Sequence, residues 1–236
     1  RHIAAGRPMD VDASGAVDGE TPNLRLRARL TLPGLAAGGS LEQLQLTVER
    51  LPLGDVLPPA LPGEPQLRGR LTATVQGSIA TLDSSSWTQS LSGSGRVRLD
   101  EPLVANLNVL RAVFEQLAVI PGLVETLEAR LPADYQVRFA AQDTVLAPID
   151  LSMTLDAGAM RFNDLTVQTD TFGLSGAGRV GLDGTIEVQA TLRIEPTFSA
   201  ALIRSVNELS ALTNAAGELE IPLTIRGQAP RLAVRP

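Results

Sequence analysis

The stretch LSGSGRVRLD at Leu91–Asp100 returns as LSGAGRVGLD at Leu174–Asp183, with eight of ten positions identical. In both copies leucine, glycine, glycine, valine and leucine take alternate positions, and mostly serine, alanine or arginine fill the gaps. A period of two marks a strand with one face toward an apolar interior and the other toward water. A duplicated strand of this kind predicts a protein built from a repeated β unit. Such units make extended surfaces more often than catalytic pockets.

The alternation continues outward from both copies. Leu24, Leu26, Ala28, Leu30 and Leu32 oppose Arg25, Arg27, Arg29 and Thr31; Pro33-Gly34 ends that strand and Gly38-Gly39 follow in a turn. Leu44, Leu46 and Val48 predict the next strand, and proline-rich residues 51–66 an irregular connection. Leu67, Leu71, Ala73 and Val75 restart the sheet, with breaks at Gly77 and at Ser84–Ser86. Farther on, Ile149, Leu151, Met153 and Leu155 form one strand, and Met160, Phe162, Leu165 and Val167 the next. The second repeat copy spans 172–182, and Asp183-Gly184 predicts a hairpin turn into Ile186, Val188, Ala190, Leu192 and Ile194. Residues 219–227 predict a last strand. The strands from 149 onward are expected as consecutive antiparallel neighbours.

Two stretches change period. Leu103, Leu107, Leu110, Val113 or Phe114, Leu117, then Leu123, Leu127 and Leu131 recur at threes and fours, which predicts two amphipathic helices over 103–131, broken at Pro121-Gly122 and closed by Pro132. From Tyr135 the period is read as two again. Thr197 is read as the N-cap of a helix reaching Thr213, with Phe198, Leu202, Val206 and Leu209 along one side. The expected fold class is mainly β with helices (α+β), a long antiparallel meander curled into an open apolar groove. Its expected parts are an irregular segment 1–22 with a weak strand, a β unit 23–100, a helical insertion 103–132, and a meander with a helix over 133–236.

Composition removes several function classes. All 20 basic residues are arginine, the net charge is −6, and the arginines alternate instead of clustering, so no nucleic-acid partner is expected. Without lysine there is no Schiff base, and without cysteine no thiolate chemistry or Cys metal site. Aromatics make up 3% of the chain, too few for stacking platforms. The 44% apolar share is that of a folded protein. No run approaches the roughly 18 apolar residues of a spanning helix. The chain, which starts at Arg1, is therefore expected to be a soluble piece of a longer protein, with any membrane anchor outside it.

Apparent motifs dissolve under the same physics. Gly176, Gly178 and Gly181 spell the dinucleotide fingerprint, but a strand follows where a helix N-terminus would have to hold the pyrophosphate. Asp10, Asp12, Ser14, Gly15 and Asp18 resemble the start of a calcium loop, yet Glu20 falls one position early for the bidentate ligand. A solvated acidic turn is the simpler expectation. His2 is the only histidine, so no Ser-His-Asp set can be assembled. Neither an active site nor a cofactor is expected.

Residues 160–194, MRFNDLTVQTDTFGLSGAGRVGLDGTIEVQATLRI, then a helix, then GELEIPLTIRGQAPRLAVRP at 217–236, together resemble the C-terminal region of AsmA-like proteins. The likeness covers about the last 145 residues. The resemblance implies a protein of the Gram-negative periplasm, anchored to the inner membrane by a segment not in this chain. It also implies a β-groove with an apolar interior, similar to bridge-like lipid transfer proteins, that helps move phospholipid toward the outer membrane. Phospholipid acyl chains would then be the partners. The expected lining is Leu151, Met153, Leu155, Leu174, Val180, Ile186, Val188 and Leu192, which share one phase on successive strands. The alternative is a structural or interaction module of the cell envelope, its sheet covered by the two helical stretches. The paired glycines on the apolar phase are expected to leave room for a helix or for a lipid chain.

Overall fold

The computed structural model describes residues 8–16, 23–31, 39–56, 63–82, 87–117, 121–228 and 231–235. Leu32, Pro33-Gly34, Gly38, Ser84–Ser86 and His2, named above, lie outside them. Strands β1 (Met9–Gly15), β2 (Leu24–Thr31), β3 (Ser40–Pro52), β4 (Gln66–Ile79) and β5 (Leu91–Ala105) pair antiparallel in chain order. β5 then pairs with a two-residue strand, β6 (Thr144–Val145), and with β7 (Ile149–Asp156). The sheet goes on through β8 (Ala159–Gln168), β9 (Phe172–Gly181), β10 (Thr185–Ile194), β11 (Leu219–Gln228) and β12 (Arg231–Arg235). Every pairing is antiparallel. The protein is a mainly β, α+β fold built on one open sheet.

Register carries the alternation across strand boundaries. Leu24, Val48, Ala73, Val97 and Leu151 stand opposite one another from β2 to β7, and Leu26, Leu46, Val75, Gly95 and Met153 form the neighbouring row. Leu155, Met160, Val180 and Ile186 align in the same way from β7 to β10. One face is thus apolar throughout, and the other carries the arginines, hydroxyls and carboxylates.

Strict alternation would lose this face at four places, and a β-bulge restores it at each. Leu41 and Leu44, Val48 and Leu51, and Phe162 and Leu165 are each three apart while their partners advance by two, and the same shift falls between Asp100 and Leu103 of β5 against Arg70 and Arg68. Left-handed residues take up the extra step in three of the four: Gln43 (φ 52), Arg50 (φ 48) and Glu101 (φ 52).

The structure corrects several expectations. Residues 9–15 form a full edge strand, and Gly77 interrupts nothing, because it lies directly opposite Gly93 and the two backbones close together. β5 runs on to Ala105, so the helix expected from Leu103 begins at Val109. The helices are α1 (Leu53–Val56), α2 (Val109–Gln116), α3 (Leu123–Arg130), α4 (Ala133–Phe139) and α5 (Pro196–Ser205), followed by a 3-10 turn at Asn207–Leu212. Pro132 does not end the helical region. It precedes α4, so Tyr135 is helical. Glu195, not Thr197, caps α5, its carboxylate accepting from the Thr197 and Phe198 N–H groups at 3.1 and 2.8 Å.

Helix α1 lies against β3 and β4, and α2–α5 pack over the other end of the apolar face. Leu110, Val113 and Phe114 of α2, Leu123, Val124 and Leu127 of α3, Phe139 of α4 and Phe198, Ala201 and Leu202 of α5 form a single core with Phe172, Leu192, Ile194, Leu219, Ile221 and Leu223 of β9–β11. Tyr135 stacks on Phe198 with ring centroids 4.3 Å apart. Asn108 fastens the helical region. Its Oδ1 caps α2 by accepting from Arg111 N, and its Nδ2 donates to the carbonyls of Arg138, Phe139 and Ala141 at the end of α4.

Candidate functional site

Away from the helices, strand side chains bury one another. Val48, Leu51 and Ala73 pack with Leu24, Leu46, Leu71 and Val97; Ile79, Leu91 and Leu155 pack with Leu41, Leu44, Val75, Leu82 and Met160. A third patch joins Phe162, Val188 and Ala190 to half-buried Leu151, Leu165, Leu174, Val180, Ile186 and Ile225. This patch touches the helix-covered core through Leu174, which packs against both.

The expected lining residues therefore divide by surroundings. Leu151, Leu174, Val180 and Ile186 are half-buried, with part of each side chain reachable from solvent. Met153, Leu155 and Val188 are buried among their cross-strand neighbours. Leu192 shares their phase but is fully buried in the core that the helices close, so it cannot line an accessible surface. Phase decides which face a side chain joins, and the covering element decides what reaches it.

The room beside the glycines also has an occupant. A Cβ on Gly95 would meet Met153 Cε at 2.8 Å, and one on Gly178 would meet Phe162 Cζ at 2.9 Å. Neighbouring strands, neither a helix nor a free channel, fill that space. The expected lining left out the same apolar rows in β2–β5, at Leu24, Leu26, Leu46, Val48, Ala73, Val75 and Val97, although the alternation of those strands was read. Their signal was the same alternation, and Ile225 on β11 belongs with them.

The polar face is laced with exposed ion pairs. Arg25 and Arg27 reach Asp12 at 3.1 and 3.3 Å, Arg29 reaches Asp10 at 3.1 Å, Arg98 reaches Asp150 at 2.7 Å, and Arg193 reaches Glu220 at 3.2 Å. Exposed pairs of this kind add little stability. The Arg25 hydrogen bond holds the Asp12 carboxyl below the usual carboxylate range, and Asn214 with Arg193 does the same for Glu220. Asp10 and Asp12 sit in a strand facing these arginines, not in a loop, and Asp18 and Glu20 lie outside the described residues. Among the described residues no group of three or more His, Cys, Asp or Glu side chains converges on a metal position. No described helix is long and apolar enough to cross a membrane. No protein-family model, curated protein or solved structure matches the chain.

Proposed function

We propose that this chain is a lipid-binding module of the AsmA-like kind, its apolar face forming an open groove that accepts phospholipid acyl chains in the periplasm and contributes to their passage between inner and outer membranes. One observation carries the reading: apolar rows hold register across successive strands, while α2, α3, α4 and α5 share one core with the β9–β11 end and only the single-turn α1 packs against β3 and β4. Each buried CH₂ is worth about 0.8 kcal/mol, so a 16-carbon chain costs on the order of 10 kcal/mol to keep in water. A continuous apolar path offsets that cost along its whole length. Small aliphatic side chains and few aromatics favour loose contact with many chains over tight recognition of one. Headgroups would stay at the open edge, and no covalent chemistry is involved.

A second reading, a non-transporting interaction domain of the envelope, draws on the helix-covered end, where Leu192, Leu219 and Ile221 form an ordinary core. Native mass spectrometry of the purified chain separates the two, with retained phospholipid expected for the groove. Photo-crosslinking gives the sharper test. A crosslinker at Ile186, on the apolar face, should capture lipid, and one at Gln189, opposite Ala177 and Thr224 on the polar face, should not. Equal capture at both positions, or at neither, would sink the groove and leave the interaction domain.

A further inference from the structure

The ion pairs of the polar face stop at its centre. Arg96 on β5, Arg161 on β8, Arg179 on β9 and Arg226 on β11 are all exposed. None has a carboxylate within 4.0 Å among the described residues, whereas Arg25, Arg27, Arg29, Arg98 and Arg193 on the same face each do. Arg161 and Arg179 stand directly opposite each other in register. Like charges in that position repel across the strands, and a fold seeking only stability would avoid them. Two acidic groups are near. Glu187 is the register partner of both Arg179 and Arg226, and Asp164 borders the same surface, but neither closes an ion pair. Asp183 feels Arg179 only as the weakest of several influences.

The surface around these arginines is hollowed. A depression of about 770 Å³ is bordered by Arg96 and Arg161 together with Ser94, Ser152, Thr154 and Asn163. A second, of about 380 Å³, adjoins it through Arg161 and Asn163 and is bordered by Arg179 and Arg226. Its floor includes Ala177, whose short side chain stands beside the exposed guanidinium groups.

We propose that Arg161 and Arg179, flanked by Arg96 and Arg226, form a binding site for a phosphate-class anion on the polar face. The guanidinium fork matches two phosphate oxygens at once, and a bound dianion converts the Arg161–Arg179 repulsion into a shared attraction. The hydroxyls of Ser94, Ser152 and Thr154 supply the donors a phosphoryl group takes up beyond its charge partners. The site does not depend on lipid entering the apolar face, because it lies on the opposite side of the sheet. Its ligand can be a free phosphate ester or the phosphate of a lipid headgroup at a membrane surface.

The test titrates the full chain with inorganic phosphate and, separately, with vesicles of phosphatidylglycerol, using phosphatidylcholine vesicles as the neutral arm. The double variant R161Q/R179Q is compared with R25Q/R27Q, which removes the same charge from the same face at arginines engaged by Asp12. Binding should weaken by roughly tenfold or more in the first and change by less than about twofold in the second. Phosphate binding lost in the central variant identifies a free phosphate ester, and loss seen only with anionic vesicles identifies a headgroup. No binding in either arm, or equal loss in both variants, overturns the site. Thermal melting gives an independent readout: phosphate should raise the melting temperature of the parent and of R25Q/R27Q but not of R161Q/R179Q. Should the central double variant fold poorly, R161Q against R27Q makes the same comparison.

Discussion

The two copies of the repeat run alike for seven residues and separate at the eighth. In each, the second glycine seats a large side chain from a neighbouring strand, Met153 against Gly95 and Phe162 against Gly178. At the eighth position copy one has Arg98, paired with Asp150. Copy two has Gly181, where a Cβ would collide with the Asp183 carboxylate and the Thr185 hydroxyl. That carboxylate is engaged, accepting from Thr185 N at 3.0 Å and from its hydroxyl at 2.7 Å, and it holds the hairpin turn. The leucine at position nine is 7% exposed as Leu99 but 41% exposed as Leu182. The eleventh residue is left-handed in both, Glu101 at φ 52 and Gly184 at φ 88. In the first it makes a bulge and the strand continues; in the second it makes a turn and the strand ends. The shared segment specifies a strand. Its fate is set by what the next residues can hold in place.

The largest effect expected from this contrast lies at the ninth position. Leu99→Ala should lower stability by about 2–4 kcal/mol, because it empties a buried site. Leu182→Ala should stay within about 0.5 kcal/mol. Chemical denaturation of the two variants measures this, and equal losses would mean that the copies are not differently placed.

A smaller effect is expected at the eleventh position. Gly184→Glu forces a side chain into the left-handed region and should cost about 1–2 kcal/mol. Glu101→Gly should cost nothing, or stabilise by less than about 1 kcal/mol once chain entropy is counted. Opposite signs in thermal melting support a shared backbone requirement solved with different residues. A loss in both would show that Glu101 does more than bend the chain.

The smallest effect concerns acid. Hydrogen bonds from the Thr185 backbone N–H and then its hydroxyl hold the Asp183 carboxyl below the usual carboxylate range. A lowered folded-state value contributes stability above the unfolded-state value and loses it as pH falls through the folded one. Asp183→Asn keeps an acceptor oxygen but cannot titrate. Its stability should lie below the parent near neutrality, and the gap should close as pH falls below about 4. Parallel acid limbs would remove Asp183 from the account.

Most of the meander was legible because alternation is a direct record of burial on one face. The strands over 149–194 could be read one after another, down to the Asp183-Gly184 turn. A bulge did not hide the strand at Met160, Phe162, Leu165 and Val167, but the end of β5 was lost, because Leu103, Leu107 and Leu110 are spaced by four and three as on a helix while β5 runs to Ala105. α4 escaped notice because Val137 is 74% exposed and only Phe139 is fully buried, so its seven residues display no stripe. Leu192 was misjudged for a different reason. Its phase is right, but the elements that cover it lie elsewhere in the chain.

The bulges at Gln43, Arg50 and Glu101 bear on how such a chain can change length. In a plain strand, one inserted or deleted residue turns every following side chain to the wrong face. Here an odd residue is already absorbed, with its backbone in a conformation that frees it from the ladder. Single-residue insertions and deletions at these points can alter a strand's length while the apolar rows on either side keep their facing. A β unit of this kind can therefore drift in size, copy by copy, without losing the surface that makes it useful.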